Sequence, residues 1–317
     1  MAPGISLTNI LNRRRREEFA RRSFFIISFL PLAVLLIILV ALFNRSLPIL
    51  VTKPLWELLA GKIWSPARGE FGFFPFIAGT FWVTVVAMLI VVLPSLLCAI
   101  YLVEYAHSAT RSIMKPLLDI LAAIPSVIYG IWGMITIVPI VEDYIAPFID
   151  RWFGYIPLFK ANNPTGFGIL AGGIVLAVMV TPLIVAVAYE VLESVSHGLR
   201  EASLALGSTR WQTVKYVVLP RALPGIIAAI VLGFSRALGE TMAVLMVVGN
   251  VPKVPSSIFD PAYPLTALIA NNYGEMLSIP LYDAALLGAA FVLLLMVLFF
   301  NLLSALVLSR IIGSSKQ

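Results

Sequence analysis

The chain has 317 residues, of which 60% are apolar or aromatic (AVILMFWYC) and 12% are Asp, Glu, Lys or Arg, against roughly 45–50% apolar and about 25% charged in an average soluble domain. This balance excludes a soluble enzyme, and the net charge of +6, from 22 basic and 16 acidic residues, has to be read from where the basic residues fall. The single cysteine, Cys98, lies inside an apolar segment, which excludes an intrachain disulfide and a thiolate metal cluster.

Residues 1–23 form a basic tail containing Arg13, Arg14, Arg15, Arg16, Arg21 and Arg22. The charge-free run Phe24 to Phe43 follows. It exceeds the apolar stretch of a secretory signal, and Phe43-Asn44-Arg45 offers no small-residue cleavage site, so it reads as a retained anchor. Residues 44–75 are expected to be extracytoplasmic. Five more apolar runs follow at Phe76 to Val103, Pro116 to Val141, Gly168 to Tyr189, Leu223 to Val248 and Ala284 to Ser309, with a final tail at 310–317. About 20 helical residues at ~1.5 Å rise cross a hydrocarbon core of ~30 Å, whereas barrel strands need only about 9–11 and alternate in polarity. The predicted fold is an all-α integral membrane protein with six transmembrane helices, its core spanning residues 76–309.

Orientation follows from the distribution of Lys and Arg. With the N-terminus inside, the inner segments hold 14: six in the first tail, then Arg111 and Lys115, then Arg200, Arg210, Lys215 and Arg221, then Arg310 and Lys316. The outer segments hold seven, namely Arg45, Lys53, Lys62, Arg68, Arg151, Lys160 and Lys253. Both termini are therefore expected on the cytoplasmic side. The basic tail reads as a topology determinant beside the first helix, in preference to a contact with anionic lipid or nucleic acid; membrane lipid surrounds the spans and no nucleic-acid partner is expected.

Catalytic signals are thin. ATP hydrolysis needs a glycine-rich loop followed by Lys and Ser or Thr, because backbone N–H groups and the lysine bind the phosphates and the hydroxyl holds magnesium. The nearest fragment, Gly61-Lys62-Ile63, lacks the hydroxyl and the upstream glycine. No cofactor is expected in this chain, and if transport is driven by ATP, the ATP and magnesium belong to a separate ATPase. His107 and His197 are isolated, without the paired spacing of a metal site. Asp119, one turn after Lys115 and just past Pro116, suits a helix N-terminus.

Arg236 and Glu240 stand apart. A fifth helix starting near Pro224 puts Arg236 twelve residues in, or ~18 Å along the axis, close to the bilayer midplane. A charge there costs ~2.5–3.5 kcal/mol on insertion scales and faces a bundle interior, a partner charge or water. Spaced by four, Arg236 and Glu240 share a helical face and are expected to pair. Ala229, Gly233, Ala237 and Thr241 form a stripe of small residues beside them that would admit a neighbouring helix. Two roles are open: a locked ion pair between helices, or an anion-attracting arginine whose grip the glutamate moderates.

The longest inner loop, Glu190 to Ala222, reads as two short helices, Leu199 to Leu206 and Thr209 to Leu219, divided by Gly207 and stopped by Pro220. Such a pair lies on the membrane surface or docks into a groove on a partner.

That loop reads Glu201-Ala202-Ser203, three residues, Gly207, nine residues, then Val217-Val218-Leu219-Pro220. It resembles the EAA signature of permeases of binding-protein-dependent ABC importers, E-A-A, three, G, nine, I-x-L-P, with Ser203 and Val217 as conservative departures. The stretches Leu121 to Gly133 and Arg236-Ala237-Leu238-Gly239-Glu240-Thr241-Met242-Ala243-Val244, with Val248-Gly249-Asn250, are similar to phosphate-import permeases of the PstC type. The resemblance covers roughly Phe76 to Ser309. It implies a type I ABC importer permease core, MetI-like, in a bacterial cytoplasmic (inner) membrane. It further implies a heterodimer with a second permease of the PstA type, two cytoplasmic ABC ATPase subunits and an extracytoplasmic phosphate-binding protein. Glu201, Ala202, Ser203, Gly207, Val217, Leu219 and Pro220 would couple to the ATPase, and Arg236, Glu240 and Thr241 would line the path of inorganic phosphate, moved by alternating access. Alternatives are another oxyanion, such as sulfate or molybdate, or a self-contained secondary transporter using Asp119 with Arg236 and Glu240.

Overall fold

The computed structural model describes residues 7–161, 163, 165–275 and 279–314. Lys316 of the expected inner tail and Pro164 of the second outer segment lie outside the described residues. Among those residues six helices are long and apolar enough to cross a membrane. In chain order the elements are α1 (Leu7–Thr52), α2 (Leu55–Ala60), a hairpin of β1 (Trp64–Ser65) and β2 (Glu70–Phe71), α3 (Phe74–Tyr105) and α4 (Ser108–Ala123). They continue with α5 (Ser126–Phe153), α6 (Ile169–Glu193), α7 (His197–Ala205), α8 (Arg210–Leu238), α9 (Met242–Leu245), α10 (Leu265–Asn272) and α11 (Tyr282–Ser314).

The centre of the bundle is α6, the most buried of the six spans. Small residues make this possible. A side chain at Gly172 would touch Val83 of α3, and one at Gly173 would meet Val86 Cγ1 at 2.5 Å, so the two backbones approach more closely than larger residues would allow. Further along, Ala99 and Ile100 of α3 share a buried cluster with Val185 and Ala188 of α6. The two helices thus run side by side for most of their length. On its other flank α6 receives α8, whose Gly233 faces Val180 and Ile184. By contrast, α1 packs on α11, where Gly288 sits against Ile49 and Ser46, and none of the apolar window of α1 is buried.

The ends of the bundle differ. One carries α7, the start of α8 and the last turn of α3. The other carries an aromatic cluster in which Trp64 of the hairpin touches Phe71, Phe73, Phe76 and Tyr282. The register Trp64↔Phe71 places these two rings on one face. The hairpin adds two short strands to an otherwise helical chain.

The observed helices correct several expected bounds. The third span does not run from Pro116 to Val141. Pro125 disfavours the helical conformation at the residue before it, and Ile124 takes φ −63°, ψ 128°. The chain breaks there into α4, which begins at Ser108, and α5, which is the third span. Pro116 and Asp119 consequently lie within α4 rather than at a helix start. Pro220 does not stop a helix either. The Leu219 N–H reaches back to the Val214 carbonyl in a π-type turn over Val214–Val218, so the hydrogen-bond ladder slips one residue just before the residue that lacks an N–H. The fifth span therefore begins at Arg210, not near Pro224, and ends at Leu238, not Val248.

Candidate functional site: two helix breaks and an uncovered arginine

The first break is stapled by Tyr129, whose hydroxyl donates to the Leu121 carbonyl at 2.8 Å. The Leu121 carbonyl, which Pro125 four residues on cannot serve and which the Ile124 N–H reaches only at 3.4 Å, gains a closer partner this way. The second break follows Leu238. The Glu240 N–H reaches the Ala237 carbonyl, the Glu240 carbonyl accepts from Thr266 Oγ1 of α10 at 2.9 Å, and its carboxylate accepts from the Ala243 N–H of α9 at 3.3 Å. After α9 the chain turns sharply through Gly249 and Asn250, at φ 88° and 53°. Gly and Asn are the residues that adopt this left-handed region at least cost, which explains the end of the Val248-Gly249-Asn250 motif. Backbone left unpaired by such breaks is tolerated at membrane depth only where protein buries it or a polar cavity solvates it.

The two breaks meet. A side chain at Gly130 of α5 would fall 2.7 Å from Met246 Sδ, 3.1 Å from Ala243 Cα and 3.3 Å from the Met242 carbonyl oxygen. One turn on, Gly133 sits against Val175 and Val247. The stretches 121–133 and 236–250, distant in sequence, thus form one structural unit.

Depth can be read from α6. Gly233 faces Val180 and Ile184, on either side of Thr181, the middle residue of the 25-residue α6. Arg236 is three residues beyond Gly233, within one turn. It therefore lies near the middle of the bundle although it is close to the end of its own helix. Ala229, Gly233 and Ala237 are buried towards α6, whereas Leu232 and Arg236, on the adjoining face of α8, and Gly239 just past its end are exposed. Ser235 donates to Asn301 of α11 at 2.5 Å beside this face. The last turn of a helix, where carbonyl dipoles accumulate, is also where a guanidinium is favoured.

The expected Arg236–Glu240 pair does not form. The helix ends between the two residues, so the four-residue spacing no longer places them on one face. Among the described residues Arg236 makes no ion pair, while Glu240 caps α9. Thr241 leaves the small-residue stripe for the same reason, and its hydroxyl turns to the Gly239 carbonyl at 3.4 Å.

The EAA stretch follows its sequence reading more closely. Gly207 has φ 84°, its N–H reaches the Leu204 carbonyl, and the Ser208 N–H reaches the Ser203 carbonyl, the return expected at a helix end closed by a left-handed residue. Thr209 and Gln212 then start α8 with a reciprocal capping box. Ser203 and Thr213 hydroxyls are 2.9 Å apart, tying α7 to α8. Glu201 and Ala202 are exposed, Val217 and Leu219 are half-buried, and Pro220 is exposed. Leu206 at the turn is 88% exposed, with Leu204, Trp211 and Tyr216 exposed around it.

Several polar contacts are not visible in the sequence. Arg200 binds Glu104 at 2.9 Å, from a position 96 residues away. Lys115 of α4 lies 3.7 Å from Glu193 of α6 and 4.3 Å from the centre of the Tyr189 ring. Tyr129 and Thr266, which secure the two breaks, carried no local signal of that role. Among the described residues no cluster of His, Cys, Asp or Glu could hold a metal ion.

Residues 95–313 match the family of inner membrane components of binding-protein-dependent transport systems. The chain belongs to this family. It is a multi-pass inner-membrane transport permease, not an enzyme. It is 39% identical over 251 residues to the phosphate transport system permease protein PstC of Xylella fastidiosa, covering 78% of this chain and 77% of that one. It is 36% identical over 310 residues to the PstC of Pasteurella multocida, covering 96% and 95%. A probable phosphate transport system permease PstC of Methanocaldococcus jannaschii is 34% identical over 258 residues, covering 80% and 82%. Among solved structures, a bacterial ABC importer of the acidic polysaccharide alginate aligns with a TM-score of 0.56 at 16% identity, over 92% of this chain and 98% of that one. An inward-facing methionine ABC transporter, MetNI, aligns at 0.51 and 22%, over 76% and 94%. These two likenesses support the importer-permease fold.

Proposed function

We propose that this permease carries inorganic phosphate through an ATP-driven importer, and that Arg236 attracts the anion at the middle of the path. The observation that carries the site is an arginine at mid-bundle depth, on an uncovered face, without an ion-pair partner among the described residues. Such a charge left against lipid costs ~2.5–3.5 kcal/mol or more. A second permease and the aqueous path between the two chains relieve that cost. An anion crossing an apolar midpoint faces the converse penalty, and one arginine lowers it without forming a trap. The identity to permeases named for phosphate supports the choice of solute.

The path is completed by a second permease of the PstA type. Two ATPase subunits, which hold the ATP and magnesium, receive the exposed apolar tip around Leu206, with Glu201, Ala202, Ser203 and Gly207 shaping α7 and Val217, Leu219 and Pro220 continuing it into the fifth span. Glu240 and Thr241 shape the break beside Arg236. An extracytoplasmic phosphate-binding protein delivers the solute to the hairpin end, and both termini face the cytoplasm. Alternation between inward and outward openings follows ATP binding through differential affinity of the ATPases for the two states.

The test is uptake of radiolabelled phosphate into proteoliposomes carrying the two permeases, the ATPase and the binding protein, with sulfate as competitor. Uptake that requires ATP and resists excess sulfate supports the reading. Uptake of sulfate instead refutes the choice of solute, and uptake without ATP refutes the mechanism.

A further inference from the structure

We propose that Arg200 is the positioning residue that fastens the EAA-bearing helix α7 to the membrane spans, so that its ion pair with Glu104 sets how much solute is moved per ATP hydrolysed. The inference rests on the importer reading above but not on which anion is carried.

Of the nine residues of α7, Arg200 alone is buried, at 8% exposure, with Leu199 half-buried beside it. The helix therefore has little apolar anchorage, and its attachment runs mainly through polar contacts. Nε and Nη2 of Arg200 both donate to Glu104 Oε1, at 3.0 and 2.9 Å. Nη2 also donates to the Leu192 carbonyl at 2.7 Å, and Nη1 to the Val195 carbonyl. Glu104 stands in the last, π-type turn of α3, Tyr101–Tyr105, and the Leu192 carbonyl is one of the last of α6.

One guanidinium thus joins three elements: α7, the end of the second span and the end of the fourth. Its fixed fork is suited to this, because it reaches the carboxylate and both carbonyls without rearrangement. Carbonyls at a helix end have no partner in their own helix, and the positive charge favours their dipoles. With side chains 10% and 12% exposed, the pair is only weakly screened by salt. The exposed surface of α7 and of the turn after it carries Glu201, Ala202, Leu204 and Leu206. A displacement applied to that surface reaches α3 and α6 together through Arg200, and reaches α8 through the Ser203–Thr213 hydroxyl contact. Loosening the arginine leaves the outer surface of α7 intact while weakening its link to the spans.

The experiment measures phosphate uptake and ATP hydrolysis in parallel on the complete reconstituted assembly, for wild type, Arg200→Gln, Arg200→Lys, Glu104→Gln and the double variant Arg200→Gln/Glu104→Gln, each checked for assembly by size-exclusion chromatography. Transport per ATP is expected to fall about fivefold or more in Arg200→Gln and Glu104→Gln, the lower range of a coupling interaction. The double variant should be no worse than the more impaired single, because the two side chains act as one unit. Arg200→Lys, which keeps the charge but cannot span all three acceptors, should fall between. An unchanged ratio, or uptake and hydrolysis lost in equal proportion, would overturn the proposal, and if Arg200→Gln does not assemble, Arg200→Lys and the isosteric Glu104→Gln decide it. A wild type that moves sulfate and not phosphate refutes the choice of solute alone, and the same ratio is then measured with sulfate.

Discussion

At the scale of single residues, the glycines of α6 and α8 are placed by contact rather than by flexibility. Gly233 faces Ile184 side-chain atoms at 2.7 Å from where its own Cβ would sit. Gly233→Val is therefore expected to destabilise the purified assembly by ~1–3 kcal/mol through overpacking, read as a lower midpoint of thermal unfolding by tryptophan fluorescence. An unchanged midpoint would mean that α6 and α8 do not touch there. This part of the site was legible, since Ala229, Gly233 and Ala237 recur at helical spacing and are buried together. Arg236 was legible as a charge near mid-depth, though by a helix start that proved wrong. Its expected pairing with Glu240 was not, because the pairing rule presumes a helix that continues, and the chain unwinds at Gly239-Glu240-Thr241. Nor could local spacing reveal the Arg200–Glu104 contact, which joins positions on different spans.

At the scale of elements, the EAA turn was the most legible feature, because its punctuation is local. Gly207 adopts φ 84° with open space around it, so the cost of replacing it is a backbone cost. Gly207→Val should weaken co-purification of the ATPase with the permease, reflecting ~1–2 kcal/mol for a branched residue in the left-handed region. Gly207→Asn should be milder, since Asn visits that region more readily. Equal retention of the ATPase by all three proteins would contradict the assigned turn. The long helices were legible from charge-free length alone, within a turn or two for α3, α6 and α11. The third and fifth spans were misjudged at prolines. At Pro125 the helix breaks, with Ile124 extended, whereas Pro220 is absorbed by the π-type turn before it. Composition does not distinguish these two outcomes; the hydrogen-bond register does.

At the scale of the whole molecule, the six spans place the aromatic hairpin and the α7–α8 turn at opposite ends, and the proposed orientation, read from the 14 to 7 split of basic residues, puts the α7 end in the cytoplasm. On a Cys98→Ser background, Ile63→Cys in the hairpin region should react with a membrane-impermeant maleimide in intact cells, and Leu206→Cys only after the membrane is opened. The reverse pattern would invert the topology. Both side chains are well exposed in the single chain, at 60% and 88%, so in cells that express the permeases without the ATPase and the binding protein, failure to label reflects sidedness rather than burial. The central claim is that an uncovered arginine at mid-bundle depth carries the anion. The measurement that tests it most directly compares ATP-dependent phosphate uptake by wild type and Arg236→Ala in the fully assembled, reconstituted importer. Uptake lower by about tenfold or more, equivalent to ~1.4 kcal/mol on the barrier, with assembly intact, is the predicted result; transport at the wild-type rate would make Arg236 a structural residue and contradict the account.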